Sequence, residues 1–276
     1  MNDQIISVRG NNLHIRTNGK DTLPVIVLLH GFTGSVETWN ELVGLLEGKY
    51  KMVAIDLTGH GKSIVPINYE RYSIEEQIKD LEAIFNKLSL RNFTLIGYSM
   101  GGRIALAYAL QYPRRVTSLI LESASPGLKT EIERITREKA DRKLAEKITE
   151  EGLPSFVDFW EQLPLFASQQ LITPEKQQAI REERLGQSVI GLSNSLLGIG
   201  TGSQPSYWND LEKVKQPTLL ITGEIDIKFV FIAREMEKLL PVVHHRTIKQ
   251  AGHAIHVEKP TLFATMVEEH ITKLKN

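Results

Sequence analysis

The feature that most constrains this fold is a serine between two glycines, placed where a strand passes directly into a helix. Residues 93–96 (Phe-Thr-Leu-Ile) resemble a buried strand, residues 97–101 (Gly-Tyr-Ser-Met-Gly) follow at once, and residues 104–110 form an Ala-rich helix pattern. So tight a turn needs its glycines to avoid clashes, and it lifts the serine onto its apex. The hydroxyl then stands at a helix N-terminus, where free N–H groups favour developing negative charge. The motif therefore predicts that Ser99 is catalytic.

Composition excludes several classes of protein. A chain of 276 residues with a formal net charge of zero gives no basic footprint for nucleic acid or an anionic membrane surface. The absence of cysteine excludes disulfides, thiolate metal sites and a cysteine nucleophile. The N-terminus lacks the basic start and apolar core of a signal peptide, and no apolar run is long enough to span a bilayer. We expect a cytoplasmic protein with no nucleic-acid or membrane partner. Its state as monomer or homo-oligomer stays undecided.

Apolar segments alternate with helical patterns along most of the chain. Residues 5–9 and 12–17 alternate apolar and polar side chains around a Gly-Asn-Asn turn, which is typical of an antiparallel hairpin. Further strand-like runs occur at 25–29, 50–56, 93–96, 116–122, 217–222 and 243–248. Between them, residues such as Ile74, Ile78 and Leu81 share one helix face. This order predicts an α/β fold with a mostly parallel, doubly wound sheet covered by helices on both sides.

This alternation stops between about residues 123 and 208. The interval has helix-like, charge-rich segments and no convincing strand; they lie at 131–151, 155–162, 174–185 and 188–197. A helical insertion cannot lie in the sheet, so we expect it across the end that carries the strand C-termini, where open α/β sheets bind ligands. The predicted division is a core of residues 1–123 and 209–276 with a helical cap of residues 124–208, inserted after the sixth strand. The alternative is a helical appendage unrelated to the site.

A serine hydroxyl needs a neighbouring imidazole before it reacts, and an acid to hold that imidazole. His253 is the best placed histidine, because it follows the last predicted strand and the flexible Gly252. Asp226 lies in the turn after the preceding predicted strand, and the order serine, acid, histidine along the chain suits such a fold. The predicted catalytic residues are Ser99, Asp226 and His253. The alternatives are structural roles for Asp56 and Asp210 as acids, and a local packing or hydrogen-bonding role for His256.

Two backbone N–H groups are candidates for an oxyanion hole. The loop of His30, Gly31 and Phe32 follows the strand-like run at 25–29, and Met100 follows the serine. The N–H groups of Phe32 and Met100 can together hold a negatively charged oxygen. His30 is predicted to fix this loop by hydrogen bonding rather than to take part in chemistry.

Arg103 narrows the choice of substrate. It lies four residues after Ser99, on the same helix face, and helical side chains lean toward the N-terminus. An unpaired buried cation is destabilising, so Arg103 is expected to meet either a protein carboxylate or an anionic substrate. Further candidates for substrate binding are Arg137, Arg181 and Lys228, each of which could instead be a solvated surface charge, and Trp160, which could instead pack in the cap core.

The ordered motifs resemble the α/β-hydrolase superfamily from about residue 23 to residue 271. They are His-Gly-Phe-Thr-Gly at 30–34, Asp-Leu-Thr-Gly-His-Gly-Lys-Ser at 56–63, the serine motif, Gly-Glu-Ile-Asp at 223–226, and Gly-His at 252–253. The fold hosts many reactions, so this level of resemblance gives no activity.

A finer pattern is similar to the 2-succinyl-6-hydroxy-2,4-cyclohexadiene-1-carboxylate synthases of menaquinone biosynthesis. It includes the serine motif through Arg103, Ser-Pro-Gly-Leu at 125–128, the helix with Arg137, and Phe-Trp at 159–160 through Leu-Pro-Leu-Phe at 163–166. Residues 200–205 (Gly-Thr-Gly-Ser-Gln-Pro) and 223–229 (Gly-Glu-Ile-Asp-Ile-Lys-Phe) also match.

That resemblance implies a lyase that eliminates pyruvate from a tricarboxylate. In that case His253 and Asp226 make Ser99 a base, and the N–H groups of Phe32 and Met100 hold an enolate. The resemblance also implies that Arg103, Arg137 and Arg181 bind carboxylates, with Arg184 as the rival of Arg181, and that Tyr98 and Trp160 line the pocket. It implies no cofactor and no metal. The alternatives are a serine esterase or C–C hydrolase acting through an acyl-enzyme, and a non-catalytic small-molecule receptor on the same fold.

Overall fold

The computed structural model describes residues 1–274, so the last two residues of the predicted core segment 209–276 lie outside it. Eight strands form one sheet in this range. The strands are β1 (Asn2–Val8), β2 (Asn11–Asn18), β3 (Val25–Leu29), β4 (Lys51–Ile55), β5 (Phe93–Tyr98), β6 (Val116–Glu122), β7 (Thr218–Gly223) and β8 (Val243–Ile248).

The strand order is β1-β2-β4-β3-β5-β6-β7-β8. The hairpin β1–β2 and the pair β2–β4 are antiparallel, and all the other pairs are parallel. The predicted hairpin and the predicted doubly wound sheet are therefore confirmed. The chain passes from β3 outward to β4 on one side and then to β5 on the other. The crevice beyond the ends of β3 and β5 is thus the switch point where such sheets bind ligands.

Nine α-helices accompany the sheet within the described residues. They are α1 (Asn40–Leu45), α2 (Ile74–Lys87), α3 (Met100–Gln111), α4 (Glu131–Glu161), α5 (Pro174–Leu185), α6 (Val189–Ile199), α7 (Ile227–Glu237), α8 (Ile255–Glu258) and α9 (Pro260–Lys273). Short 3-10 helices cover Val36–Trp39, Tyr69–Tyr72, Pro164–Leu171 and Trp208–Lys213.

Two apolar layers enclose the sheet. On one face, α2, α3 and α7 bury side chains that include Phe85, Tyr108 and Met236. On the other face, α1 and α9 bury side chains that include Leu42 and Phe263. The central strands β3 to β7 are largely buried on both faces, as expected for parallel strands covered on both sides, whereas the edge strands β1 and β8 are more polar and exposed. The periodic apolar positions of the sequence are therefore the ones that build this core.

Helices α4, α5 and α6 and the 3-10 helix Pro164–Leu171 lie between β6 and β7, which confirms a helical cap after the sixth strand. Part of this insertion has a small apolar core of its own, around Ile148, Phe156 and Leu192. The two predicted segments 131–151 and 155–162 form one helix broken at Gly152, whose φ of 78° is left-handed. Pro154 follows and cannot donate a helical hydrogen bond, so the direction of the chain changes there.

Candidate active site

Ser99 occupies a strained turn between β5 and α3. Its φ of 49° and ψ of −105° lie outside the helical and extended regions, and its N–H donates to the Glu122 carbonyl at 2.9 Å. An added Cβ on Gly101 would lie 2.2 Å from the Leu29 carbonyl oxygen, so only glycine lets α3 approach the end of β3 this closely. The turn therefore places Ser99 at the C-terminal edge of the sheet, beside the loop that follows β3.

This close approach gives a test of the turn. We expect Gly101→Ala to lower the free energy of unfolding by about 2–3 kcal/mol, because the neighbouring backbone must move. Gly44→Ala is the matched control, since an added Cβ at Gly44 of α1 meets no atom within 4 Å. That change should raise the free energy of unfolding by about 0.5 kcal/mol. Urea unfolding of both variants measures the difference, and equal stabilities would contradict the packing described.

Ser99, His253 and Asp226 follow three different strands, yet their side chains lie in a row: His253 contacts Ser99 on one side and Asp226 on the other. The Nε2 atom of His253 lies 3.0 Å from Ser99 Oγ, and its Nδ1 atom lies 2.6 Å from Asp226 Oδ2. Asp226 follows β7 and caps α7, while His253 lies in the loop after β8. The His253 and Asp226 side chains are almost fully buried. This is the geometry in which an imidazole can take a hydroxyl proton while a carboxylate holds the ring.

The loop after β3 lies beside the serine. An added Cβ on Gly31 would lie 3.6 Å from Ser99 Cβ. Among the hydrogen bonds of the described residues, none has the N–H of Phe32 or of Met100 as its donor. Two N–H groups thus stand unused near the serine.

His30 fixes this loop, as predicted. The Leu57 N–H donates to Nε2 of His30 at 3.0 Å, so Nδ1 carries the ring proton and donates to the Gly31 carbonyl at 2.7 Å. Burial, and then the neighbouring His60, lower the pKa of His30 to about 3. The ring is therefore neutral at physiological pH and holds the loop through both nitrogens.

The serine opens onto a cavity of about 740 Å³ between the sheet edge and the cap. Its wall includes most of the predicted site residues, namely Phe32, Tyr98, Ser99, Met100, Arg103, Arg137, Trp160, Lys228 and His253. Tyr98 separates His253 from His256, with ring centroids at 5.4 and 4.7 Å. Trp160 stacks on Phe156 of the cap and meets Phe32 edge-on, so it belongs to the cap core and to the cavity wall at once.

Arg103 is buried in this wall without an acidic partner. Its Nη1 donates to the side-chain oxygen of Gln204, and no carboxylate oxygen of residues 1–274 lies within 4.0 Å of its guanidinium. Burial, and then the nearby Arg137, lower the pKa of Arg103 to about 10. The guanidinium is therefore still charged at neutral pH. No acid pairs with it directly within the described residues, although Asp141 acts on it from farther away and opposes part of the shift.

The other predicted cations differ in how exposed and how paired they are. Arg137 is half-exposed and donates from Nε to Asp141 at 2.7 Å, so its charge is partly offset. Lys228 is exposed at the start of α7, with Nζ 5.7 Å from the Phe229 ring. Both line the cavity, whereas only Arg103 is enclosed.

The structure does not support the expectation that Arg181 reaches the substrate, because Arg181 lies away from the cavity of Ser99. Its guanidinium pairs with Asp158 at 2.6 Å and with Glu161 at 2.7 Å, because this face of α5 packs on the end of α4, and it does not line the cavity of Ser99. Arg184, its rival, is buried behind the cavity wall, 4.9 Å from the Phe166 ring and bonded to Glu161 and Gln169.

The alternative acids and histidines have structural partners. Asp56 accepts the Val36 N–H at 2.6 Å and contacts His14 at 2.7 Å, and Asp210 pairs with Lys213. His256 is buried against Glu122, with 2.8 Å between Nδ1 and Oε2. None of the three acts on Ser99, which supports the choice of Asp226 and His253.

Two partly buried carboxylates that were missed from the sequence tie the cap to the site loops. Glu258 accepts the Gly252 N–H at 2.7 Å, next to His253, and the hydroxyl of Ser168 in the cap at 3.0 Å. Glu183 of α5 accepts the hydroxyls of Ser35 and Thr38 just after Phe32. Burial raises the pKa of both carboxyl groups. Apart from Gly252, the partners of these two carboxylates lie 90 or more residues away, and no local pattern reveals them.

Two further findings concern residues 1–274 as a whole. None of their helices is both long enough and apolar enough to cross a bilayer. Their histidines and acids form no group of three that could hold a metal ion.

Comparison with known proteins agrees with this geometry. Residues 24–260 match the sequence pattern of the alpha/beta hydrolase fold. The chain is 46% identical over 260 residues, 94% of each chain, to the putative 2-succinyl-6-hydroxy-2,4-cyclohexadiene-1-carboxylate synthase of Bacillus subtilis. It is 32% identical to the synthase of that name from Enterobacter, covering 91% of this chain and 93% of the relative. The structure of MenH from S. aureus superposes with a TM-score of 0.91 at 37% identity, covering 96% of this chain and 99% of that one.

Proposed function

Because the chain belongs to the 2-succinyl-6-hydroxy-2,4-cyclohexadiene-1-carboxylate synthase family of α/β-hydrolase-fold enzymes, we propose that it is a lyase of menaquinone biosynthesis that releases pyruvate from an enolpyruvyl precursor. The precursor is 2-succinyl-5-enolpyruvyl-6-hydroxy-3-cyclohexene-1-carboxylate. Besides membership of this family, one observation supports the proposal: the Arg103 guanidinium is buried near Ser99 and forms no ion pair with a carboxylate of the described residues. A cation so placed is expected to bind a negatively charged substrate.

The elimination is a redistribution of bonds with no change in oxidation level. The ring carbon beside the succinyl ketone loses a proton, and its electron pair forms a new ring double bond. The existing double bond moves by one position, and the bond from the ring to the enolpyruvyl oxygen breaks. The departing enolate of pyruvate takes up a proton. The reaction therefore needs a base and a site for negative charge, but no oxidant or reductant.

We assign the base to Ser99, with His253 taking the hydroxyl proton at Nε2 and Asp226 holding the imidazolium through Nδ1. The distances of 3.0 and 2.6 Å support this relay. When the ring carbon loses its proton, the electron pair is first held by the succinyl ketone as an enolate, before the new ring double bond forms. We assign the stabilisation of this ketone enolate to the N–H groups of Phe32 and Met100. Such donors are fixed before the reaction starts, so they favour the charged intermediate without reorganising.

Three cations of the cavity are the proposed partners of the substrate carboxylates. Arg103 is the enclosed one, and its planar fork suits two parallel hydrogen bonds to a carboxylate. Arg137 and Lys228 lie farther out along the same wall, and Tyr98 and Trp160 offer flat surfaces to the ring. A small polycarboxylate is thus the proposed substrate class. The cytoplasmic location of the protein stays a prediction.

The first test is an assay of pyruvate, coupled to lactate dehydrogenase, with the enolpyruvyl substrate generated in situ. We expect pyruvate release that depends on the protein, and little turnover of p-nitrophenyl esters. A burst of nitrophenol together with a trapped acyl group on Ser99, and no pyruvate, would instead establish the alternative of a serine esterase. Tight ligand binding without turnover in either assay would establish the receptor.

A further inference from the structure

Gln204 is the only side chain of the described residues that accepts a hydrogen bond from the Arg103 guanidinium. It lies in the loop between α6 and the 3-10 helix Trp208–Lys213, where the chain returns from the cap to the core, and it is 1% exposed. It does not line the cavity itself. From this placement we infer that Gln204 is a positioning residue, which directs the Arg103 guanidinium toward a substrate carboxylate. The inference rests on the proposed function.

The chemistry of the amide explains why a glutamine suits this place. A guanidinium has five N–H donors, and the amide oxygen satisfies one of them while adding no negative charge. A carboxylate at the same place would fix the guanidinium as well, but it would also neutralise it. The neutral partner therefore fixes the direction of Arg103 and leaves its charge available to an anion.

The amide is held in one orientation. Its oxygen faces Arg103, so its Nε2 points away, and Nε2 is buried with no partner among residues 1–274. Rotating the side-chain amide of Gln204 by 180° would place its NH₂ group against the N–H groups of Arg103, so that two donors would face each other. A buried donor without a partner is unfavourable, so stabilisation of the fold does not by itself explain a glutamine at this position. That cost is consistent with a role directed at Arg103.

The loop that carries Gln204 is itself tied to the cap. The Gln204 N–H donates to the Gly200 carbonyl at 3.1 Å, and the Gly202 N–H donates to Asp141 Oδ2 at 3.3 Å. Asp141 is the partner of Arg137. One short loop thus sets the position of the acceptor for Arg103 and contacts the acid that offsets Arg137. Arg103 and Arg137 differ in charge compensation because their hydrogen-bond partners on and beside this loop, Gln204 and Asp141, differ in charge.

The inference is tested with Gln204→Glu and Gln204→Met. In Gln204→Glu the new carboxylate should pair with Arg103, so the substrate must compete with it, and KM should rise ~10-fold while kcat changes less than ~3-fold. In Gln204→Met the guanidinium loses the hydrogen-bond acceptor that orients it, and kcat/KM should fall ~3–10-fold. Gln216→Met is the matched control, because Gln216 is a buried amide bonded to Ala109 and Pro113 of the core, and its KM should equal that of the wild type.

A double-mutant cycle separates positioning from a merely structural role. If Gln204 acts through Arg103, adding Gln204→Glu to Arg103→Met should change KM by less than ~2-fold. The same loss in both backgrounds, or an unchanged KM in Gln204→Glu, would overturn the inference and leave the proposed function intact. If Gln204→Glu does not fold, Gln204→Met is carried through the same cycle. Absence of pyruvate release by the wild-type protein would refute the proposed function, and this inference with it.

Discussion

Replacing Ser99 by alanine should abolish pyruvate release while the protein stays folded. Without the hydroxyl, His253 Nε2 has no group through which to reach the ring proton, and the rate should fall by at least ~10³-fold. Alanine and serine are equally strained at a φ of 49°, so the substitution should not change the strain of the turn. The measurement is the lactate dehydrogenase-coupled assay, accompanied by urea unfolding of both proteins.

Ser118→Ala is the control for this loss. Ser118 is fully buried in β6, and its hydroxyl has no partner among the described residues, so its removal should leave turnover within ~2-fold of the wild type. A folded Ser99→Ala protein that keeps more than ~1% of the activity would show that another group removes the proton. In that case the contacts of His253 and Asp226 with Ser99 would need another explanation.

The central site could be predicted because its geometry follows from local sequence rules. Parallel strands end at the same edge of a sheet, so residues just after β5, β7 and β8 converge there without any knowledge of the tertiary packing. The left-handed turn at Ser99 needs glycine neighbours, which mark it in the sequence. Arg103 follows from helical spacing alone, since four residues make about one turn. In each case a short segment contains the information.

The cap residues could not be ranked in this way. Arg181 and Arg184 are three positions apart on α5, so they lie on overlapping faces of one helix. What separates them is the packing of α5 on α4, where Asp158 and Glu161 meet Arg181 at the surface. Gln204 is 101 residues from Arg103, and its role depends on a loop conformation that no periodicity describes. Contacts of this range are decided by tertiary packing.

Replacing Arg103 by alanine should raise KM and slow pyruvate release by at least ~10²-fold, because the substrate loses a charge-assisted partner inside an apolar cavity. Arg142→Ala removes an exposed arginine from α4 and serves as the control for net charge. Its KM should stay within ~2-fold of the wild type, since a solvated charge is well screened. An effect below threefold in Arg103→Ala would remove this residue from the binding site.

Stability then distinguishes a binding arginine from a structural one. Loss of one partner from a buried ion pair costs about 3–5 kcal/mol, because a charge is left unpaired. Arg103→Met leaves no carboxylate behind, and it removes a cation that burial disfavours, as the pKa near 10 indicates. The Gln204 oxygen loses its donor, at about 1–3 kcal/mol, which offsets that gain. We therefore expect the free energy of unfolding in urea to change by less than about 1 kcal/mol while activity collapses. A decrease of about 3 kcal/mol or more in the free energy of unfolding would mean that Arg103 stabilises the fold rather than serving to bind an anion.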